Sequence, residues 1–132
     1  MLAGFSILLS TCNPAGRRAS AYDVSDLKIE QKDNGYLVEL VNSRDIAGIE
    51  AFITQSNWLV ITVADASVDV GKVKMLKPFG IIQKIEVDEF ATAVQISLKL
   101  SEKTGPVEIV RDPHSSNVYV SIFTKDLSRI KR

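Results

Sequence analysis

The sequence predicts an all-β domain, an eight-stranded β-sandwich of two pseudo-symmetric four-stranded sheets. Three observations carry that expectation. Apolar residues recur with period two from Asp26 onward, as expected of strands with one buried face. The most apolar run outside the N-terminus, Asn57–Ala64, has an echo at Asn117–Thr124, each led by a Ser-Asn pair, at an offset of 60 (57 to 117). No stretch before the last few residues sustains a helical period.

The elements follow in chain order. Leu27, Ile29 and Gln31 alternate with Lys28, Glu30 and Lys32, and Asp33-Asn34-Gly35 reads as a hairpin turn in which Asn-Gly supplies positive φ. Tyr36–Val41 returns as a second strand, 44–48 is a loop, and Ile49–Thr54 is a third strand. Gln55-Ser56-Asn57 turns into the fourth strand, Trp58–Ala64. Asp65–Gly80 is irregular: Val68, Val70 and Val73 suggest a short extra strand, which Lys77-Pro78-Phe79-Gly80 ends. Strands are then expected over Ile81–Asp88, Ala93–Leu100, Pro106–Arg111 and Val118–Thr124, with Pro106 at a strand start, where a missing N–H is tolerated.

The second set repeats the first. Lys28-Ile29-Glu30 aligns with Lys84-Ile85-Glu86, and Val38-Glu39-Leu40 with Val94-Gln95-Ile96, both at an offset of 56 (28 to 84, 38 to 94). The growth from 56 to 60 places about four extra residues in the loop after the second strand of the second copy. A set of four strands cannot bury its apolar face alone, and two sheets packed face to face satisfy both. The alternative architecture is a single closed or half-open barrel. Alternation puts Trp58, Val60 and Thr62 on one face of their strand and Leu59, Ile61 and Val63 on the other. Both sets are largely apolar, so this strand should be central, with Trp58 and Val118 equivalent in the two sheets.

The totals narrow the function classes. Sixteen basic and 16 acidic residues give zero formal charge, which argues against nucleic acid, a partner bound mainly by neutralising phosphates. A single Cys and a single His exclude an internal disulfide and a zinc site made of Cys and His. No calcium-loop motif, phosphate-binding glycine loop or nucleophile elbow is present, so neither a metal nor a cofactor is expected. His114 reads as a turn residue beside Asp112 and Ser115, and Glu50, Glu86, Asp88 and Glu89 as solvated charges without a glycosidase-like pairing motif. A non-catalytic protein is the expectation.

Candidate ligand contacts come from the polar positions that alternate with the core: Lys28 and Glu30 in the first set, Lys84, Glu86, Gln95 and Lys99 in the second. Mixed charge and amide groups suit hydrogen bonding to a polar polymer or a protein, and equally suit plain solvation. Trp58 is expected to be core or half-buried.

The N-terminus reads as an address. Met1–Leu9 is apolar but shorter than the roughly 20 residues a membrane-spanning helix needs. Leu9-Ser10-Thr11-Cys12 resembles a bacterial lipoprotein lipobox, with Thr11 where Gly, Ala or Ser is usual and no Lys or Arg ahead of the run. The resemblance implies lipidation of Cys12 and a membrane anchor on the periplasmic side of the bacterial envelope. The expected organisation is a signal-like segment over 1–12, a linker over 13–25, the β domain over 26–125 and a basic tail over 126–132.

The duplicated strands also resemble the AMIN domain, a module of bacterial envelope proteins. The resemblance rests on Gly80-Ile81-Ile82-Gln83-Lys84-Ile85-Glu86-Val87, opening the second copy, and on the alternating strand Ala93–Leu100. It covers Leu27–Phe123. AMIN domains often carry Arg where Lys84 stands, and the ligand-facing positions here are therefore read from the alternation. The resemblance implies two symmetric sheets and a non-catalytic module that binds peptidoglycan and localises envelope proteins. A protein-interaction or assembly subunit, for example of a pilus or secretin system, that pairs through a sheet edge is the second reading.

Overall fold

The computed structural model describes residues 22–124. Cys12, the remainder of the signal-like segment, most of the linker and the basic tail lie outside the described residues. The chain forms β1 (Val24–Lys32), β2 (Gly35–Asn42), β3 (Ile49–Ile53), β4 (Trp58–Ala64), a short helix α1 (Val70–Lys74), β5 (Ile82–Glu89), β6 (Ala93–Leu100), β7 (Thr104–Arg111) and β8 (Val118–Thr124). All eight expected strands are present, and β4, β6 and β8 have the expected bounds. β1 starts at Val24 and so takes in the end of the expected linker.

The strands form two antiparallel four-stranded sheets, ordered β1-β2-β8-β7 and β3-β4-β6-β5. They pack as a β-sandwich around one core, in which Leu27, Val38, Leu40, Val118, Val120 and Ile122 meet Leu59, Ile61, Val63, Ile96 and Leu98. Neither sheet is one copy of the repeat. Each combines a hairpin from the first four strands with a hairpin from the last four. Exchanging β1–β4 with β5–β8 converts one strand order into the other, so the twofold relation survives at the level of topology.

The register corrects the alignment of the copies. β1 and β2 shift register between Val24 and Asp26, and β5 and β6 between Ile82 and Lys84. These bulges correspond at an offset of 58 (24 to 82, 26 to 84), as do the strand ends Asn42 and Leu100. The expected offset of 56 thus falls short by two positions, an even slip that keeps every side chain on its face. In the closing strands the fully buried residues are Leu59, Ile61 and Val63 on β4 and Val118, Val120 and Ile122 on β8, at an offset of 59 (59 to 118). The expected offset of 60 is out by one, and an odd slip exchanges faces. Trp58 points away from the core, Val118 points into it, and the two are not equivalent. The added residue falls in the β7–β8 turn, and the loop after β6 is not lengthened.

Local chemistry accounts for the turns. Asn57 adopts φ 65°, which Asn tolerates in the turn before β4. Asn117 is not left-handed. Its Oδ1 accepts from Asn42 N–H (3.0 Å) and its Nδ2 donates to Glu39 Oε2 (3.0 Å), pinning β8 to β2. The β1–β2 turn places only Asp33 and Asn34 between the paired Lys32 and Gly35, with neither at positive φ. The positive φ falls on Gly35 itself, at 157°, and a Cβ there would also run into the carbonyl oxygen of Ile122.

The irregular centre corrects a second expectation. Val70 and Val73 lie in α1 and not in a strand, because the Asp69 side chain accepts from Lys72 N–H at 3.3 Å and caps a first turn. Val68 makes a single parallel bridge to Val24. The 65–81 connection packs along β1 and β5, with Val73 in the core and Ile81 N–H donating to the Tyr36 hydroxyl at 3.1 Å. Pro106 sits within β7, at the register shift between Thr104 and Val107 on an edge strand, where no ladder N–H is needed.

At one end of the sandwich Asp23 ties three segments together. Its carboxylate accepts from Arg44 Nε (3.0 Å) and Nη2 (3.2 Å) and from Ser67 N–H (2.9 Å). These bonds, the Arg44 side chain first, hold the Asp23 carboxyl below its usual range. A depressed carboxylate pKa stabilises the fold above the unfolded-state value, and that contribution disappears as pH falls through the folded-state value. Asp23→Asn should lower stability at pH 7 by less than about 1 kcal/mol, as for other partly exposed ion pairs, and the difference from wild type should shrink in urea titrations as pH falls below the ordinary Asp range. Gly35→Ala should cost more than about 1 kcal/mol by the same measurement at any pH.

Candidate functional site

The outward positions of the β3-β4-β6-β5 sheet form rows that follow from strand pairing. Thr62 lies between Glu50 and Gln95, and Gln95 is followed by Asp88 on β5. Phe52, Val60, Ser97 and Glu86 make the next row, and Trp58, Lys99 and Lys84 the third. The β3–β4 side of the face therefore carries its apolar and aromatic residues, and the β5 side is charged. Phe52 is 52% exposed, and Trp58 is half-buried beside it on the neighbouring strand. Val60 is buried although it faces outward.

Lys99 ties this face together. Its Nζ lies 5.6 Å from the centre of the Trp58 ring and donates to Ser56 C=O at 2.6 Å. The ammonium links the indole to the β3–β4 turn and lends the aromatic surface a positive border. Lys84 Nζ stands 3.9 Å from Glu86 Oε2, a loose exposed pair with hydrogen-bonding capacity to spare. Gln95 offers a neutral amide on this face, whereas Ser97 is buried.

Four of the six expected contacts, Lys84, Glu86, Gln95 and Lys99, thus share one face. Lys28 and Glu30 do not join them. They lie on β1, opposite Glu39 and Leu37, on the outer face of the other sheet. Tyr119 stands on that face opposite Glu39, and burial, reinforced by the Glu39 carboxylate, raises its hydroxyl pKa. The two faces point in opposite directions across the core, and no compact ligand reaches both. Phe52 was not singled out from the sequence, although period two in Ile49–Ile53 already puts Glu50 and Phe52 on the polar side. Trp58 is half-buried, as expected, and sits on the solvent side of its strand.

Glu50 and Asp88 lie on the same face but far apart. Glu50 and Asp88 occupy opposite edge strands of the sheet with β4 and β6 between them, on the order of 14 Å apart by strand spacing. That separation exceeds the range in which two carboxylates cooperate on a glycosidic bond. His114 is a turn residue: its N–H donates to Asp112 Oδ1 at 2.9 Å, and Ser115 Oγ donates to Asp112 Oδ2 at 3.0 Å. Both bonds, the His114 N–H first, lower the Asp112 pKa. Among the described residues no group of three or more His, Cys, Asp or Glu is placed to hold a metal ion.

An open polar cleft of about 660 Å³ lies at the end of the sandwich between the β2–β3 loop and the β7–β8 turn. Arg111 crosses it, donating from Nη2 to Ala47 C=O at 3.1 Å. In its walls Arg111, Asp112 and Asn117 are already engaged in hydrogen bonds within the protein, whereas Phe52 on the β3-β4-β6-β5 face is exposed.

No protein-family model matches the chain, and no curated protein matches it in sequence.

Trp58 is the chain's only tryptophan, so its emission reports on this face alone. Lys99→Met should change the Trp58 emission while leaving the far-UV circular dichroism of the sandwich unchanged.

Proposed function

We propose that this protein is a non-catalytic binding module of the bacterial cell envelope that holds peptidoglycan on the outer face of the β3-β4-β6-β5 sheet. The reading is supported chiefly by the meeting of Phe52 and Trp58 with Lys84, Glu86, Gln95 and Lys99 on that one face. Sugar rings have apolar faces that stack on aromatic side chains. Their acetamido groups, and the carboxylates and amines of attached peptides, need the hydrogen-bonding and charged border that β5 and β6 provide. The likeness of 27–123 to AMIN domains and of Leu9–Cys12 to a lipobox supports the same address, with a lipid anchor on Cys12 and the periplasm as the compartment.

A second reading, a protein partner added as a further strand, is favoured by β7. This edge strand leaves Ile109 and Val110 36% and 48% exposed.

Co-sedimentation with purified sacculi separates the two. The chain should pellet with sacculi at low salt, Phe52→Ala and Lys84→Glu should each reduce the bound fraction several-fold, and Lys28→Glu on the opposite face should not. Soluble muropeptides should also alter Trp58 emission. Absence of pelleting at low salt, or equal loss with Lys28→Glu, removes the peptidoglycan reading. Retained partner capture by all three variants, abolished by Val110→Pro in β7, would establish edge pairing instead.

A further inference from the structure

We propose that the β4–β5 connection is a docking surface for an anionic lipid bilayer, with Lys72, Lys74 and Lys77 contacting headgroups and Met75 entering the interface. In a chain of zero net charge, positions 70–85 carry four lysines and no Asp or Glu. Among the described residues the ion pairs are Lys32–Glu30, Arg44–Asp23 and Lys84–Glu86, so Lys72, Lys74 and Lys77 have no carboxylate within 4.0 Å there. All three are exposed. Met75 stands between them and is 75% exposed, the most exposed large apolar side chain among the described residues.

The segment is held at both ends. Asp69 N–H donates to Val24 C=O at 2.9 Å, Val73 is buried beneath α1, and Ile81 N–H is bonded to the Tyr36 hydroxyl. Phe79 packs its ring against Tyr36 at 5.9 Å and remains 38% exposed. The lysines and Met75 are therefore displayed from a fixed base. A soluble polyanion would need only the lysines. An apolar side chain projecting from among cations fits the boundary between phosphate headgroups and acyl chains. The location agrees, because Val24 N–H donates to Ser67 C=O at 2.9 Å and the chain from Cys12 enters the fold beside this connection. The surface shares no residue with the aromatic face and does not depend on the peptidoglycan reading.

The test is flotation of the full chain with vesicles of phosphatidylcholine alone and with phosphatidylglycerol added. Because every variant retains Met1–Leu9, the comparison isolates the connection. The chain should bind the anionic vesicles about tenfold or more tightly than the neutral ones. Lys72→Glu with Lys74→Glu and Lys77→Glu should abolish that preference. Met75→Ser should weaken anionic-vesicle binding several-fold, and Lys28→Glu with Lys103→Glu, charge changes elsewhere, should do neither. Far-UV circular dichroism verifies that the variants fold. Equal binding to both vesicle types, or a preference that survives the triple substitution, overturns the proposal. So does binding that Met75→Ser leaves unchanged and a soluble polyanion displaces, which would assign the lysines to a soluble polyanion.

Discussion

The fold depends on two long-range antiparallel pairings, β2 with β8 and β4 with β6. Each hairpin, β1–β2, β3–β4, β5–β6 or β7–β8, has one apolar face and two open edges, and a lone hairpin is marginal in water. Joining a hairpin of one copy to a hairpin of the other closes an edge on each and widens the apolar face that the opposing sheet covers. Val38 against Val120 and Ile61 against Ile96 are the centres of these joins, and all four side chains are fully buried. The chain spans a long loop to make either pairing, a closure cost that rises only slowly with loop length.

Everything specific to this molecule is arranged around that frame by small departures from the repeat. Asn42 stands where the second copy has Leu100. Its N–H and Nδ2 bind Asn117 Oδ1 and Ser116 C=O, so the β7–β8 turn is fastened to β2 by a polar side chain where the other sheet uses an apolar one. The same positions differ in charge on the two outer faces, with Lys28 in the first copy at the place of Glu86 in the second. Duplication supplies two similar faces, and substitution gives them different aromatic residues, Phe52 and Trp58 on one and Tyr119 and Phe123 on the other. The connection between the copies has no counterpart among the described residues, and it carries the exposed lysines and Met75.

The period-two pattern made the strands, the two sets of residues on β4 and its central place in its sheet legible from the residues alone. Leu59, Ile61 and Val63 alternate with Trp58, Val60 and Thr62, and a strand with apolar residues on both sides belongs between neighbours. The helix was missed because five residues are too few to display a period, and Asp69 acts as a cap only once its carboxylate meets Lys72 N–H. Phe52 was legible in principle from the alternation of β3. The separation of Lys28 and Glu30 from the other four polar positions was not, since any strand's polar side looks alike until its sheet is known.

Strand existence, the residues that share a face and the turn sites were determined by the sequence itself, because they rest on local spacing and residue type. Partnership and register were decided only by tertiary structure. The apparent match of Asn57–Ala64 with Asn117–Thr124 aligned two Ser-Asn turns, yet Asn57 is left-handed while Asn117 bonds Asn42 and Glu39. Core packing selects the equivalence one residue away, pairing Leu59 with Val118, because burial is fixed by which face meets the opposite sheet and a one-residue slip would turn Trp58 inward.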